Sequence, residues 1–148
     1  FGPVSLSNNY STEAKELIVY FFSKWFPPKR NFITPLNPFE LSKSSVEKLN
    51  KIFNSDDYQK ELVLLKNMLN NYGFTIPVLY KQYADLCLPG GVQFLGFNID
   101  LNFSNCIDAL ILVDLQYLKE NKKRRYLNTN TFTQNDVMEK EAVSQYFL

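Results

Sequence analysis

The sequence contains no histidine, and this absence excludes several classes of catalytic site. Ser-His-Asp and Cys-His triads, zinc sites that use histidine, and the usual histidine general base all require an imidazole ring. Any chemistry carried out by this chain would therefore use carboxylates, tyrosine, backbone groups or a bound water.

Cysteine is almost as scarce, since the chain has only Cys87 and Cys106. Two cysteines are too few for a disulfide scaffold or for a metal site with four cysteine ligands. Both lie in apolar stretches, and free cysteine is among the most frequently buried residue types. We interpret both as small buried hydrophobic residues, and we expect no metal site.

Long apolar runs and a dominant charge are missing as well. No stretch approaches the ~18 consecutive apolar residues of a transmembrane helix, and no secretory signal is visible. A reduced, cytoplasmic setting is therefore expected. The 16 basic residues nearly balance the 15 acidic ones, so the overall charge predicts no attraction to nucleic acid.

The chain does contain enough apolar residues for one hydrophobic core. It has 148 residues, of which 45% are hydrophobic and 16% aromatic, and this size and composition are typical of a single folded domain. We therefore treat residues 1–148 as one domain. Because the chain begins with Phe1 rather than methionine, we expect it to start inside a longer protein.

The order of elements follows from periodicity and from capping residues. Alternation predicts a strand over residues 1–7, and apolar spacing after an N-cap at Ser11 predicts an amphipathic helix that ends before Pro27. Residues 27–42, with four prolines, predict an irregular crossing. A capping box at Ser44 predicts a helix through Phe53.

The second half begins with two more helices and then changes to strand periodicity. Residues 55–57 are expected to cap a helix that stops at Gly73, and Pro77 opens another, whose inner face we assign to Leu79, Tyr83 and Leu86. Strands are predicted over residues 92–100 and 110–115. Their short, polar connection favours antiparallel pairing. A weak amphipathic helix is predicted at 136–148.

Two residues within these strands, Gly96 and Asp114, allow more specific predictions. Gly96, at the centre of its strand, predicts a bulge or the close approach of another backbone or of a ligand. Asp114, placed in an apolar run, needs either a structural partner or a role in a site. Taken together, the residues predict an α/β domain with one strand, several helices and a closing strand pair.

Three segments resemble a known family, the hemolysin-like acyltransferases of the GNAT superfamily. Residues 1–11 resemble a segment common in that family, and residues 76–83 (IPVLYKQY) resemble its Pro-Val-Leu-Leu-Arg-Gln-Tyr helix. Residues 94–100 with 107–115 resemble its paired closing strands. The resemblance extends over roughly residues 1–127 and implies an incomplete α+β fold of the GNAT type, which begins downstream of the acyl-donor site.

Members of this family are similar to enzymes that make lyso-ornithine and glycine lipids. The resemblance implies an N-acyltransferase that moves a 3-hydroxy fatty acyl group from acyl carrier protein, or from acyl-coenzyme A, to an amino-acid amine. No cofactor would be bound permanently. The donor loop, which holds the pantetheine diphosphate at a helix N-terminus, would lie upstream of Phe1. The first strand would then have an unpaired edge, where the missing N-terminal half belongs.

The same resemblance directs attention to polar residues near the expected cleft. Ser5 and Ser7, on the first strand, are candidates for orienting the acyl donor or the amine. Tyr80 is a candidate general acid, and Lys81 a candidate partner for the substrate carboxylate. For each of these residues an ordinary surface or packing role is the alternative.

Carboxylates on the closing strands are the candidate catalytic groups. Asp100 ends one strand and Asp108 precedes the other, and we assign both to holding the amino group, directly or through water. Asn98, two residues before Asp100, is a candidate substrate-binding residue. A structural partner for each carboxylate is the alternative.

A run of basic residues follows the second closing strand. We expect Lys122, Lys123, Arg124 and Arg125 to contact the acidic acyl carrier protein or the anionic inner face of the cytoplasmic membrane. A solvated charged face is the alternative. No aromatic residues interleave with the run as they do in nucleic-acid sites.

Two other functions stay open at this stage. The chain could be a non-catalytic binding or regulatory module that kept the scaffold without the donor loop. It could also belong to a lysophospholipid O-acyltransferase, although the His-and-Asp motif of those enzymes is absent from this part of the chain.

Overall fold

The structure, a computed structural model, describes residues 1–31 and 33–127, and in these one strand precedes four helices and a strand pair. The helices and strands in chain order are β1 (Gly2–Leu6), α1 (Thr12–Trp25), α2 (Lys43–Ile52), α3 (Tyr58–Asn71), α4 (Val78–Ala84), β2 (Val92–Asp100), β3 (Cys106–Val113) and α5 (Glu120–Tyr126). A short 3-10 helix, Leu115–Tyr117, precedes α5. The helix predicted at 136–148 lies outside the described residues.

The three strands form one antiparallel sheet in the order β1-β3-β2. Strand β3 lies in the middle, where Ala109 pairs with Val4 of β1 and with Phe97 of β2. The antiparallel pairing of the two closing strands is confirmed. The described residues therefore form an α+β fold, which is consistent with an incomplete GNAT-like fold.

The core lies between one face of this sheet and the helices. The apolar stripe of α1 is buried as predicted, including Leu17, Ile18 and Phe22. The Phe22 ring lies 4.9 Å from the Phe94 ring of β2, centroid to centroid, and 5.1 Å from the Tyr80 ring of α4. Aromatic packing thus connects α1 to both α4 and β2.

The helix ends confirm most of the capping predictions. Ser11 Oγ accepts the Ala14 N–H at 3.2 Å at the start of α1, and Gly73 ends the α3 region with a φ of +77°. The prediction for α2 is wrong by two residues. Its N-cap is Ser42, whose Oγ accepts the Ser45 N–H at 3.0 Å, so the chain enters the helix earlier than the capping box at Ser44 predicts.

Strand β3 starts earlier and ends earlier than predicted. It begins at Cys106, which pairs with Asp100 of β2, whereas the prediction rested on the continuous apolar run that follows. Asp114 lies just beyond the strand rather than within it. Its Oδ1 accepts the Gln116 N–H at 3.0 Å and caps the short 3-10 helix, so this carboxylate has a structural partner.

The sheet has one covered edge and one edge without a strand partner. At Gly96 the β2–β3 register shifts, so the predicted bulge is confirmed, and a Cβ added there would lie 3.0 Å from Cγ of the Pro35 side chain. Residues 37–39 cover the outer edge of β2, where the Phe39 N–H donates to Phe97 O at 2.9 Å. Within the described residues, no strand pairs with the outer edge of β1.

Gly91→Ala is expected to destabilise the fold by about 1–3 kcal/mol, the usual cost of overpacking. A Cβ at this position would lie 2.6 Å from the Cys87 Cβ and closer still to the Tyr117 Cβ, and backbone-attached atoms cannot rotate away. Chemical denaturation measures the change. Gly73→Ala is the comparison, because it meets no atom within 4 Å and tests only the positive φ.

Candidate functional site

Three of the predicted site residues lie side by side across the sheet, on the face away from the core. Ser5 of β1 pairs with Asp108 of β3, which pairs in turn with Asn98 of β2. Their strand neighbours Leu6 and Ile107 point into the core, so alternation directs these three side chains to the opposite face. We call Ser5, Asp108 and Asn98 the Asp108 row.

One oxygen of the Asp108 carboxylate is held by its neighbours on the sheet. Ser5 Oγ donates to Asp108 Oδ1 at 2.6 Å, and the Cys106 thiol approaches the same oxygen at 3.8 Å. Among the described residues no hydrogen bond or ion pair reaches Asp108 Oδ2. The half-buried carboxylate is therefore fixed in orientation while Oδ2 keeps its lone pairs for another donor.

Asn98 contributes to the row mainly by fixing the segment that crosses it. Its Oδ1 accepts the Asn37 N–H at 2.8 Å, and its Nδ2 donates to Ile99 O at 3.2 Å. Both polar atoms thus have structural partners. The predicted substrate-binding role of Asn98 stays a prediction, and positioning of the crossing segment is what the contacts describe.

A small cavity of about 150 Å³ lies beside the Asp108 row. Asp108 and Asn98 form its polar part, while Pro3, Pro35 and Leu110 are among its apolar walls. A carboxylate oxygen next to apolar walls can accept a hydrogen bond from an amine while water is partly kept away. The row therefore combines a proton acceptor with space for a small group.

Asp100 and Ser7 lie outside the row and have roles in turns. Asp100 Oδ1 accepts the N–H groups of Asn102 and Phe103 at 2.9 and 3.1 Å, which closes the turn between β2 and β3. Ser7 Oγ accepts the Asn9 N–H at 3.2 Å in the turn after β1. Their predicted catalytic and substrate-binding roles stay predictions.

Tyr80 is fully buried, so the structure describes a packing role, and its predicted role as a general acid stays a prediction. The residue has no exposed surface, and within the described residues its hydroxyl has no hydrogen-bond partner. Burial, followed by the negative charge of Asp108, raises its pKa far above the usual range. The inner face of α4 is also corrected, because Tyr80 is buried while Leu79 is half exposed.

Tyr80→Phe is expected to leave stability unchanged or to raise it by up to about 1 kcal/mol. The change removes a buried hydroxyl without a partner and keeps the ring that packs on Phe22 and Phe94. Thermal unfolding measures the effect on stability. A large loss of acyl transfer by this variant, with normal folding, would instead support the predicted role of Tyr80 as a general acid.

The predicted partner-binding residues lie together on α5, and two of them form ion pairs. Lys122 Nζ lies 3.3 Å from Asp85 Oδ2, and Lys123 Nζ lies 2.9 Å from Oε1 of Glu120, three residues earlier in the helix. A hydrogen bond from Lys119 lowers the pKa of Asp85, and Lys122 adds to the shift. This carboxylate is therefore ionised at neutral pH.

The other predicted binding residues are exposed. Arg124 points to solvent, Arg125 has its guanidinium carbon 5.5 Å from the centre of the Tyr126 ring, and Lys81 is exposed on α4. The basic residues of α5 thus lie together on one short helix, away from the Asp108 row. Their predicted partner contacts stay predictions.

Both cysteines are free and buried, as predicted. Burial raises the pKa of the Cys106 thiol, and the charges of Asp108 and Asp100 raise it further. Burial likewise raises the pKa of Cys87. A protonated thiol is a poor nucleophile, so neither cysteine has the features of an acyl-carrying group. What the sequence interpretation missed is the contact of Cys106 with Asp108.

In residues 1–31 and 33–127 no three His, Cys, Asp or Glu side chains converge to hold a metal ion. No helix within these residues has the length and apolar character needed to cross a membrane.

Comparison with known proteins relates the chain to two N-acyltransferases. It is 25% identical over 145 residues to a glycine N(alpha)-acyltransferase of Bacteroides thetaiotaomicron, with 98% of this chain and 42% of that protein covered. It is also 25% identical over 129 residues to a glycine N(alpha)-acyltransferase of Phocaeicola vulgatus, with 87% and 39% covered. The chain thus spans about two fifths of these relatives. No family model and no solved structure match it.

Proposed function

We propose that this chain is the later part of an N-acyltransferase that attaches a fatty acyl group to the amino group of an amino acid. Similarity to two proteins named glycine N(alpha)-acyltransferase supports acyl transfer to an amine, and it favours glycine as the acceptor. The α+β fold, with its closing antiparallel strand pair, is compatible with this function. The product would be a lyso-aminolipid.

The observation that carries the proposal is the geometry of the Asp108 carboxylate. One oxygen is fixed by Ser5 at 2.6 Å, the other accepts no hydrogen bond from the described residues, and Asp108 lines a small cavity. An amino-acid ammonium group would donate to Oδ2, directly or through a water. The carboxylate would then orient the amine and receive one of its protons.

The reaction then proceeds by direct attack. The neutral amine nitrogen forms a bond to the thioester carbonyl carbon, and the carbonyl oxygen takes the electron pair of its π bond. When the tetrahedral intermediate collapses, the carbon–sulfur bond breaks and the thiolate leaves. The nitrogen of the tetrahedral intermediate loses a second proton, which passes through water to the sulfur, while the first proton, taken up by Asp108, is released to solvent. An amide, a thiol and one proton result. The raised thiol pKa values support transfer without a cysteine-bound intermediate.

The donor we propose is a 3-hydroxy acyl group carried by acyl carrier protein, with acyl-coenzyme A as the alternative. Acyl carrier protein is acidic, and α5 bears four basic residues against one glutamate. Such a surface attracts an acidic partner at long range. The donor loop and a strand for the free edge of β1 would come from the rest of the protein.

The test uses the natural full-length protein with acyl carrier protein loaded with a 3-hydroxy fatty acid. Free thiol and N-acyl glycine are measured in the same reaction, by a thiol reagent and by mass spectrometry. Equal amounts of thiol and amide, dependent on glycine, are expected. Thiol release without amide would mean hydrolysis, and absence of both from folded protein would favour a non-catalytic binding module.

A further inference from the structure

A second and larger cavity lies at the opposite end of the sheet from the Asp108 row. It measures about 610 Å³, and its walls include Leu79 and Leu86 near α4, Val113 at the end of β3, and Leu115. This volume falls within the ~300–1,000 Å³ of most small-molecule sites. Leu79 and Leu115 are 51% and 59% exposed, so apolar walls here face open space.

In the part of the chain that the structure describes, the charged residues that line this cavity are all basic. Lys122 and Arg125, one turn apart on α5, are the charged lining residues in the described part of the chain. Asp85 takes hydrogen bonds from Lys119 and Lys122, while no salt bridge among the described residues involves Arg125. The local charge is therefore positive, with a guanidinium at the rim of an apolar cavity.

We propose that this cavity binds a single-chain amphiphile with a carboxylate head, that is, an N-acyl amino acid. The apolar walls would hold the acyl chain, and Arg125 with Lys122 would hold the carboxylate through charge-assisted hydrogen bonds. The proposal rests on the proposed function, since that reaction yields a molecule of this kind. It assigns the product a site that is separate from the reacting groups.

The two sites are far apart along the same strand. Asp108 and Val113 are five residues apart in β3, which corresponds to about 17 Å at ~3.3 Å per residue. A product held at the second cavity would therefore not occupy the Asp108 row. Because the separation lies along one strand, substitutions at either site can be tested independently.

The test is the binding of N-dodecanoylglycine to the natural full-length protein by titration calorimetry, below the concentration at which the probe forms micelles. Saturable binding at one site is expected. Shortening the chain to decanoyl and octanoyl should weaken binding about three- to fourfold per methylene removed, the effect of losing one buried methylene. N-acetylglycine and dodecyltrimethylammonium, which lack the chain and the carboxylate respectively, should bind far more weakly.

Matched variants locate the site. Arg125→Glu should weaken binding of N-dodecanoylglycine at least tenfold, whereas Arg124→Glu, one residue earlier and outside the cavity, should leave it within about twofold. Leu79→Asp should weaken binding similarly, with Val78→Asp as the exposed control on the same helix. Circular dichroism confirms that each variant is folded.

Several outcomes would overturn the proposal. One is the absence of saturable binding, and another is equal weakening by Arg124→Glu and Arg125→Glu. Loss of binding in Asp108→Asn would place the ligand at the Asp108 row instead. If the cavity is an interface between copies, Leu79→Asp will turn a dimer into a monomer and no saturable binding will be seen. Binding without any acyl transfer would contradict the proposed function, but it would still support the second cavity as a binding site.

Discussion

Lys24→Met is expected to destabilise the protein by about 3–5 kcal/mol, the usual cost of removing one partner of a buried ion pair. Lys24 Nζ lies 2.6 and 2.7 Å from the two oxygens of Glu61, whose side chain is only 2% exposed. Without the lysine, the donors left to this buried carboxylate among the described residues would be the Trp25 Nε1–H at 2.8 Å and the Ser55 N–H at 2.7 Å.

The hydrogen bonds of Lys24 also connect α1 to the segment between α2 and α3, which adds to the expected loss of stability. Lys24 lies in the last turn of α1 and also donates to Phe53 O and Ser55 O, at 2.9 and 3.0 Å, in the connection between α2 and α3. Methionine would leave these two carbonyls without that donor. Chemical denaturation of wild type and variant gives the difference in free energy of unfolding.

Lys60→Met provides the matched control, since it makes the same change in an exposed ion pair. Lys60 lies 3.8 Å from Asp57, and its side chain is 77% exposed. Such a pair contributes ~0–1 kcal/mol. If the two lysine variants lose similar stability, the Lys24–Glu61 pair does not hold the helices together as described.

Asp108→Asn is expected to lower the rate of acyl transfer by roughly 10²–10⁴-fold, the range for loss of a general base. Asparagine keeps the size of the side chain, and its amide oxygen can still accept from Ser5 Oγ. It cannot take a proton from an amine. The loss should therefore fall on kcat more than on KM for the donor, and stability should change little.

Two further variants define what the Asp108 result means. Ser5→Ala removes the hydroxyl that orients the carboxylate, so it should reduce the rate by less than Asp108→Asn does. Asp56→Asn makes the same chemical change at an exposed position outside the Asp108 row and should leave the rate unchanged. Equal activity of Asp108→Asn and wild type would remove Asp108 from the mechanism.

The helices of the first half could be predicted because their patterns are local. The stripe of α1, its Ser11 cap and the stop at Gly73 depend on residues within one or two turns. The inner face of α4 could not be predicted in this way. Its seven residues are apolar on several sides, so periodicity alone does not decide whether Leu79 or Tyr80 faces the core.

The candidate site could also be predicted only in part from the sequence. That Ser5, Asp108 and Asn98 are polar residues near strand ends could be seen in the sequence, but their alignment depends on strand register. Ser5 and Asp108 are 103 residues apart, and a shift of one residue would turn every side chain to the other face. The turn role of Asp100, in contrast, is local: its Oδ1 accepts the N–H groups of residues two and three positions later, as in an Asx turn.

The most direct test of the central claim is lipid analysis in a bacterial host that makes no aminolipids. The natural full-length protein and its Asp108→Asn variant are produced to equal levels, and extracted lipids are examined by mass spectrometry. An N-(3-hydroxyacyl) amino acid that appears with the wild type and is lost with Asp108→Asn is the predicted result. Folded wild-type protein that yields no new lipid, with acyl carrier protein present, would contradict the account.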